Sequence, residues 1–215
     1  MPELAGKKVL ITAGPTHEPI DPVRFIGNHS SGKMGIAIAE EMARNGAEVT
    51  LVCGPSKVES SESIRRIDVQ SAQDMFDAVM DHAAAQDIMI LSAAVADYRP
   101  KNVASEKIKK KDARLVIELE PTPDILASLG KRKTSTQLLV GFALETENEL
   151  ENAKDKLHRK NCDMIILNSL KDSGAGFGHD TNQVTIIDQH DNISTFDLKS
   201  KTAVAKDILQ AIRDY

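Results

Sequence analysis

The sequence predicts an α/β fold: a Rossmann-like, doubly wound, mainly parallel sheet with helices on both faces and an added antiparallel hairpin. Two observations carry this. Short apolar runs such as Val9-Leu10-Ile11, Ile88-Met89-Ile90-Leu91 and Met164-Ile165-Ile166-Leu167 read as strands buried on both faces. Between them lie stretches of helical periodicity, and regular alternation of strand and helix favours parallel pairing through crossover helices. The chain has 215 residues, 41% of them hydrophobic, enough for one core and a single domain over residues 1–215.

Val9 to Ile11 ends at Thr12-Ala13-Gly14-Pro15, where a parallel strand gives way to a turn at the sheet's carboxyl edge. A long loop follows, and long loops in compact domains are usually functional. A helix is expected from Ile36 to Asn45 with Gly46 as its cap, then a strand from Glu48 to Val52. Ile64 to Val69 alternates as a strand with one solvated face, Ser71 opens a helix to about Ala85, and Asp87 to Leu91 is a fully apolar strand. Leu115 to Leu119 is expected to add a strand, Pro123 to stand near the first turn of a short helix, and Gln137 to Ala143 to form the fifth core strand. Thr146 and Glu149 have capping-box spacing ahead of a helix to about Lys160, and Asp163 to Leu167 gives a sixth strand. Ser169 to Asn182 reads as a glycine-rich loop, either disordered or a lid. Val184–Asp188 and Ile193–Phe196 read as an edge hairpin, and Ser200 to Arg213 as a closing helix.

No apolar run approaches the roughly 20 residues of a membrane span, and the amino terminus lacks a signal-peptide core, so a cytoplasmic protein without a membrane partner is expected. With 27 basic and 32 acidic residues the formal charge is −5, aromatics are 3% and Trp is absent, which argues against a nucleic-acid partner. Cys53 and Cys162, without C-x-x-C spacing, are expected as reduced core thiols. The six histidines show no metal-ligand spacing, so no protein-held metal is expected.

The loop ITAGPTHEPIDPVRFIGNHSSGKMG, from Ile11 to Gly35, closes with Asn28-His29-Ser30-Ser31-Gly32-Lys33-Met34-Gly35. A serine there can cap the following helix while glycine lets an anion approach the first N–H groups. The same residues equally suit capping and close packing alone. With Gly14, residues Ser30, Ser31, Gly32 and Gly35 form the candidate phosphate or substrate loop. Gly27 and Gly32-Lys33 match P-loop spacing, but Met34 stands where a hydroxyl should bind Mg²⁺ and the strand lies too far upstream, which excludes that motif.

The small-residue turn from Ser92 to Pro100 should face this loop across a crevice. Glu106 to Lys111 is a lysine-rich excursion, either a solvated loop or a flap that lays a lysine on a polyphosphate. Lys156 and Lys160 share a helix face. G-x-S-x-G and G-x-G-x-x-G are both absent, and Tyr98 and Lys101 lack dehydrogenase spacing, so a hydrolase or short-chain dehydrogenase is disfavoured. A nucleotide-binding module without catalysis stays open.

These motifs resemble, in order and over the whole chain, those of the bacterial phosphopantothenoylcysteine synthetases. The match takes in the first loop, Ser92 to Arg99, Glu106-Lys107-Ile108-Lys109, Pro123-Asp124-Ile125-Leu126, Gly141 to Thr146, the Lys156 and Lys160 helix, and Asp163 to Asn168. The resemblance implies a phosphopantothenate–cysteine ligase of coenzyme A biosynthesis. CTP, accompanied by Mg²⁺, would activate the carboxylate of 4'-phosphopantothenate as an acyl-cytidylate with release of pyrophosphate, and the amine of L-cysteine would displace CMP.

It implies catalytic roles for Asn28, as donor to the acyl-cytidylate carbonyl, for Arg24 behind it, and for Lys107 at the α-phosphate. Nucleotide contacts would fall on Leu91, Ser92, Ala93, Asp97, Lys107, Pro123, Asp124, Ile125, Leu126, Phe142, Lys156 and Lys160. Ala93 and Phe142 would frame cytosine, and Lys156 and Lys160 would meet the triphosphate. A homodimer through added strands is implied, with Leu115 to Leu119 and the terminal hairpin as candidates. Such synthetases are often fused to an upstream flavin-dependent decarboxylase, so the chain is either free-standing or a carboxyl-terminal half. One departure is Glu120-Pro121-Thr122 ahead of Pro123, where relatives carry a lysine.

Overall fold

The computed structural model of the chain describes residues 4–110, 114–145, 147–169 and 179–215. In chain order, β1 (Lys8–Ala13) is followed by a hairpin of β2 (His17–Pro19) and β3 (Phe25–Gly27), then by α1 (Lys33–Arg44) and β4 (Glu48–Cys53). Next come β5 (Arg65–Asp68), α2 (Ala72–Ala83), β6 (Ile88–Leu91), β7 (Tyr98–Pro100), β8 (Leu119–Pro121) and α3 (Ile125–Arg132). β9 (Leu138–Glu145), α4 (Glu149–Arg159) and β10 (Met164–Ser169) complete the parallel part. β11 (Thr181–Asn182), β12 (Val184–Asp188), β13 (Ile193–Thr195), β14 (Lys199–Ser200) and α5 (Lys201–Asp214) close the chain.

The main sheet runs β13-β12-β10-β9-β6-β1-β4-β5. It is parallel from β5 to β10 and antiparallel through β12 and β13, so the expected fold class and edge hairpin are present. The strands alternate between two cores. Val9 and Ile11 of β1 pack with Ile36 and Ile38 of α1 and Val204 and Ile208 of α5. Leu10 faces the other way, into a layer with Met75 of α2, Leu129 of α3 and Leu157 of α4. Burial on both faces is why these strands read as unbroken apolar runs, and each such side chain contributes about 1.5–3 kcal/mol. Cys53 and Cys162 are buried free thiols, and burial pushes the Cys162 thiol up to about 12.

Several local expectations are corrected. Leu115 to Glu118 is not a strand; the strand is β8, paired with β7 in a small separate sheet, and Val116 is 87% exposed, with no face to pack on. The first loop contains the β2–β3 hairpin, which its prolines concealed. Neither serine caps α1: the cap position is Gly32, with φ 80° and no side-chain cap bond, while Ser30 Oγ accepts from the Gly32 N–H at 3.3 Å. Pro123 lies just before the cap residue of α3, Asp124, whose Oδ1 accepts from the Ala127 N–H at 2.8 Å. α4 begins at Glu149 with Asn148 at its cap position, and Thr146, the expected cap, lies outside the described residues, as do 170–178 of the glycine-rich stretch. Among the described residues no helix is long and apolar enough to cross a membrane.

β1 is central, with β4 on one side and β6 on the other, so the chain reverses direction across the sheet at this point. A crevice opens there at the carboxyl ends of the strands. Gly54, just after β4, lies against the turn that follows β1: a Cβ would stand 1.7 Å from the Pro15 carbonyl oxygen. Gly54→Ala is expected to cost about 1–3 kcal/mol as overpacking and to lower the melting temperature by roughly 2–12 °C in calorimetry. An unchanged transition would contradict this close approach.

Candidate active site

The carboxyl ends of β1, β6 and β9 and the amino ends of α1 and α3 frame one cleft of about 930 Å³, a volume typical of small-molecule sites. Asn28, Ser30, Ser31, Gly32 and Gly35 form one wall. Leu91, Ser92, Ala93 and Asp97 form the wall beyond β6. Pro123 to Leu126 come from the start of α3, Phe142 from β9, and Lys156 and Lys160 from the α4 side. Residues far apart in sequence therefore meet at one sheet edge.

Backbone bonds hold the two facing turns together. Ala94 N–H donates to the Gly14 carbonyl at 2.9 Å, Thr16 N–H donates to the Ala94 carbonyl at 3.3 Å, and Ala93 N–H donates to Thr12 Oγ1 at 3.1 Å. Gly32 packs against Gly14, with its absent Cβ only 3.2 Å from the Gly14 Cα, so Gly14 supports the loop from behind and does not line the cleft. Ser56 Oγ donates to the Ser31 carbonyl at 2.7 Å and fixes the loop from the β4 side. Lys33, Met34 and Gly35 open α1 along the cleft, where the first N–H groups of a helix have no intrahelical partner and suit an anion.

Asn28 reaches across the cleft wall. Its Nδ2 donates to the Ala94 carbonyl at 3.0 Å and to the Val95 carbonyl at 3.2 Å, which fixes the amide orientation. The atom it offers outward is therefore Oδ1, an acceptor, not the expected donor.

Lys156 Nζ donates to the Phe142 carbonyl at 2.8 Å, and burial holds its pKa below the usual lysine value despite Glu145 nearby. Lys160 pairs with Asp124. Burial pushes the Asp124 carboxyl upward, but the Lys160 ammonium and the Ala127 N–H outweigh it and leave the group below its ordinary value. Lys33 pairs with Asp180 at 2.5 Å. Lys201, buried at the same end of the cleft, donates to the His179 carbonyl, and burial together with Lys33 lowers its pKa.

Sequence reasoning missed Lys201, Asn168 and Asn182, which also line the cleft. Asn168 Oδ1 is buried without a hydrogen-bond partner among the described residues, a costly state that a ligand donor would relieve. Its position at the end of an apolar strand, like that of Ser92, was the available signal. Lys201 had none, being brought in by the short β11–β14 pairing near the carboxyl terminus. Arg24 and Lys107 lie outside the cleft lining: Arg24 is paired with Asp21, and Lys107 is exposed on the lysine-rich excursion.

Residues 4–215 match the family described as DNA/pantothenate metabolism flavoprotein C-terminal domain. The chain belongs to that family. It is 48% identical over 210 residues to the coenzyme A biosynthesis bifunctional protein CoaBC of Bacillus subtilis, covering 97% of this chain and 52% of that protein. It is 58% identical over 210 residues to a cysteine/cysteine sulfinic acid decarboxylase of an unknown prokaryotic organism, covering 97% and 58%. The chain thus spans little more than half the length of these curated relatives. A crystal structure of the C-terminal domain of CoaBC superposes with a TM-score of 0.85 at 45% identity, over 99% of this chain and 97% of that one. The resemblance read from the motifs is borne out as membership of this pantothenate-metabolism family.

Because burial lowers Lys156 and Lys201, an anion that joins them should raise both again. Binding of inorganic sulfate, which does not itself titrate near or above neutrality, is then accompanied by proton uptake that grows as the pH rises toward the ordinary lysine range and shrinks in Lys156→Met. Calorimetric titration in buffers of different ionisation enthalpy measures this, and uptake independent of pH would contradict it.

Proposed function

We propose that the chain is a phosphopantothenate–cysteine ligase of coenzyme A biosynthesis, with CTP as the activating nucleotide. The observation that carries this reading is the single cleft in which the Asn28 loop and the amino end of α1 face Lys156 and Lys160, in a family whose similar members include CoaBC proteins. A phosphorylated carboxylic acid and a nucleotide need such shared, cation-bearing walls.

In the first step a carboxylate oxygen of 4'-phosphopantothenate attacks the α-phosphorus of CTP, the bond to the β-phosphate oxygen breaks, and pyrophosphate leaves. Lys156 and Lys160 offset charge on the phosphates, Lys160 exchanging Asp124 for the nucleotide, while Lys107 comes in from the exposed excursion. Ala93 and Phe142 frame the base, and Asn168 Oδ1 accepts a donor of the ligand. No three His, Cys, Asp or Glu side chains converge among the described residues. Mg²⁺ would arrive with the nucleotide phosphates and neutralise part of their charge, and Asp97 on the cleft lining is the carboxylate that would help to hold it.

In the second step the neutral amine of L-cysteine attacks the acyl carbon, the carbon–oxygen bond to the cytidylate breaks, CMP leaves, and the amine proton passes to solvent. Asn28 Oδ1 accepts an N–H of the amine as it gains positive charge, the role its fixed orientation allows. We infer that the protein acts in the cytoplasm, alone or as the carboxyl-terminal half of a bifunctional enzyme with a flavin-dependent decarboxylase. Exposed Tyr98, Leu115, Val116 and Leu119 on and beside the β7–β8 arm support a homodimer.

Pyrophosphate release should require both 4'-phosphopantothenate and CTP. Lys107→Gln should slow it by about 10²–10³-fold, whereas Asn28→Asp, which has no N–H to hold the side chain on the Ala94 and Val95 carbonyls, should still release pyrophosphate but lose cysteine coupling by a similar factor. Nucleotide binding without release under any combination would sink the ligase reading, and a light-scattering mass of one 23.4 kDa chain would sink the dimer.

A further inference from the structure

Asp21 is only 3% exposed, and a carboxylate is buried where N–H donors replace its water. Its Oδ1 accepts from the backbone N–H groups of Val23 and Arg24, each at 2.9 Å. Its Oδ2 accepts from Arg24 Nε at 3.0 Å, from Arg24 Nη2, and from the Ile108 N–H at 3.0 Å. Arg24 Nη2 also donates to the Ile108 carbonyl at 2.9 Å, so one ion pair holds both polar groups of the Ile108 backbone. Ala104 N–H adds a bond to the Ile20 carbonyl at 3.0 Å. The Arg24 guanidinium keeps the Asp21 carboxyl well below the usual carboxylate range, so the pair stays charged at neutral pH.

The turn that carries Asp21 is the tip of the β2–β3 hairpin. Its base is fixed to the main sheet side: His17 N–H donates to the Gln70 carbonyl at 2.8 Å, and buried Glu18 accepts from the Ala72 N–H at 2.8 Å. His17 stacks on Phe25 with ring centroids 3.7 Å apart, which stiffens the two strands against each other. Just beyond β3 stands Asn28, on the cleft wall. From Lys101 to Lys110 the excursion has neither helix nor strand, and Ile108 is half-buried while Lys107 and Lys109 are exposed. One stiff element therefore carries Asn28 at its base and grips the neighbour of Lys107 at its tip.

We propose that Asp21 is a positioning residue, which with Arg24 pins the foot of the lysine excursion at Ile108 to the hairpin that carries Asn28. Lys107 then moves to the nucleotide phosphates from a fixed pivot. Arg24 acts in this latch and not in the cleft. The proposal rests on the ligase reading for its catalytic consequence, but the latch itself is testable without any activity.

Asp21→Asn keeps the Oδ1 bonds of the turn and removes the charge that holds Arg24; Arg24→Lys, a second variant, keeps the charge and removes the fork that reaches the Ile108 carbonyl. Limited trypsin digestion followed by mass spectrometry should show cleavage after Lys107 and Lys109 accelerated about tenfold in either variant, with other sites and the melting temperature little changed. Pyrophosphate release should fall by about 10–100-fold in kcat with KM for CTP nearly constant. Combined with Lys107→Gln, Asp21→Asn should add little further loss, because both act on one group. Digestion at the wild-type rate in both variants would overturn the latch. Accelerated digestion with full additivity in the double variant would overturn its link to Lys107. A wild-type protein that releases no pyrophosphate would instead remove the ligase reading and leave the digestion result to judge the latch.

Discussion

The site depends on the hydrogen bonding between the turn after β1 and the turn after β6. Ala94 gives its N–H to Gly14 and receives the Thr16 N–H, and its carbonyl also takes an amide proton of Asn28. These bonds join two turns at the point where the strand order reverses, the place where parallel sheets leave a crevice. With the turns locked, the α1 loop can face β6 and β9 at a fixed separation. Small residues are needed on both sides, because Gly32 and Gly14 approach to within van der Waals contact. The cleft is thus a consequence of backbone pairing, and its side chains are hung on a frame that a ligand need not build.

Electrostatics add the second layer. The chain carries a formal charge of −5, yet cations gather on the cleft and several are already answered by a carboxylate, Lys160 by Asp124 and Lys33 by Asp180. Such pairs keep partly buried lysines from standing uncompensated, and a polyphosphate can take over one partner with limited new desolvation. Lys156 is different, since its ammonium rests on a backbone carbonyl, a weaker partner that leaves its charge available. The unpartnered Asn168 oxygen marks the complementary need for a donor.

The sheet was legible because its strands are buried on both faces and write uninterrupted apolar runs, and the helices because their buried residues recur at helical spacing, with Ser71 marking the start of α2. The β2–β3 hairpin was not, since prolines mask short strands whose pairing is fixed by tertiary anchors at Gln70 and Ala72. Leu115 to Glu118 misled for the opposite reason: strand-forming residues without a neighbouring strand stay exposed. Within the site, residues at strand ends were found by position and motif. Lys201 was not, because only the fold places it beside α1. The direction of the Asn28 amide was also invisible, being decided by two carbonyls from another turn.

The most direct test of the account follows oxygen atoms. If the cleft joins the carboxylate to the α-phosphorus, then 4'-phosphopantothenate labelled with ¹⁸O in its carboxylate must leave one labelled oxygen in CMP after cysteine is added. Mass spectrometry of the nucleotide products reads this. CMP should carry one label per turnover while pyrophosphate stays unlabelled; label in pyrophosphate, or CMP without label while product forms, would contradict ligation through an acyl-cytidylate.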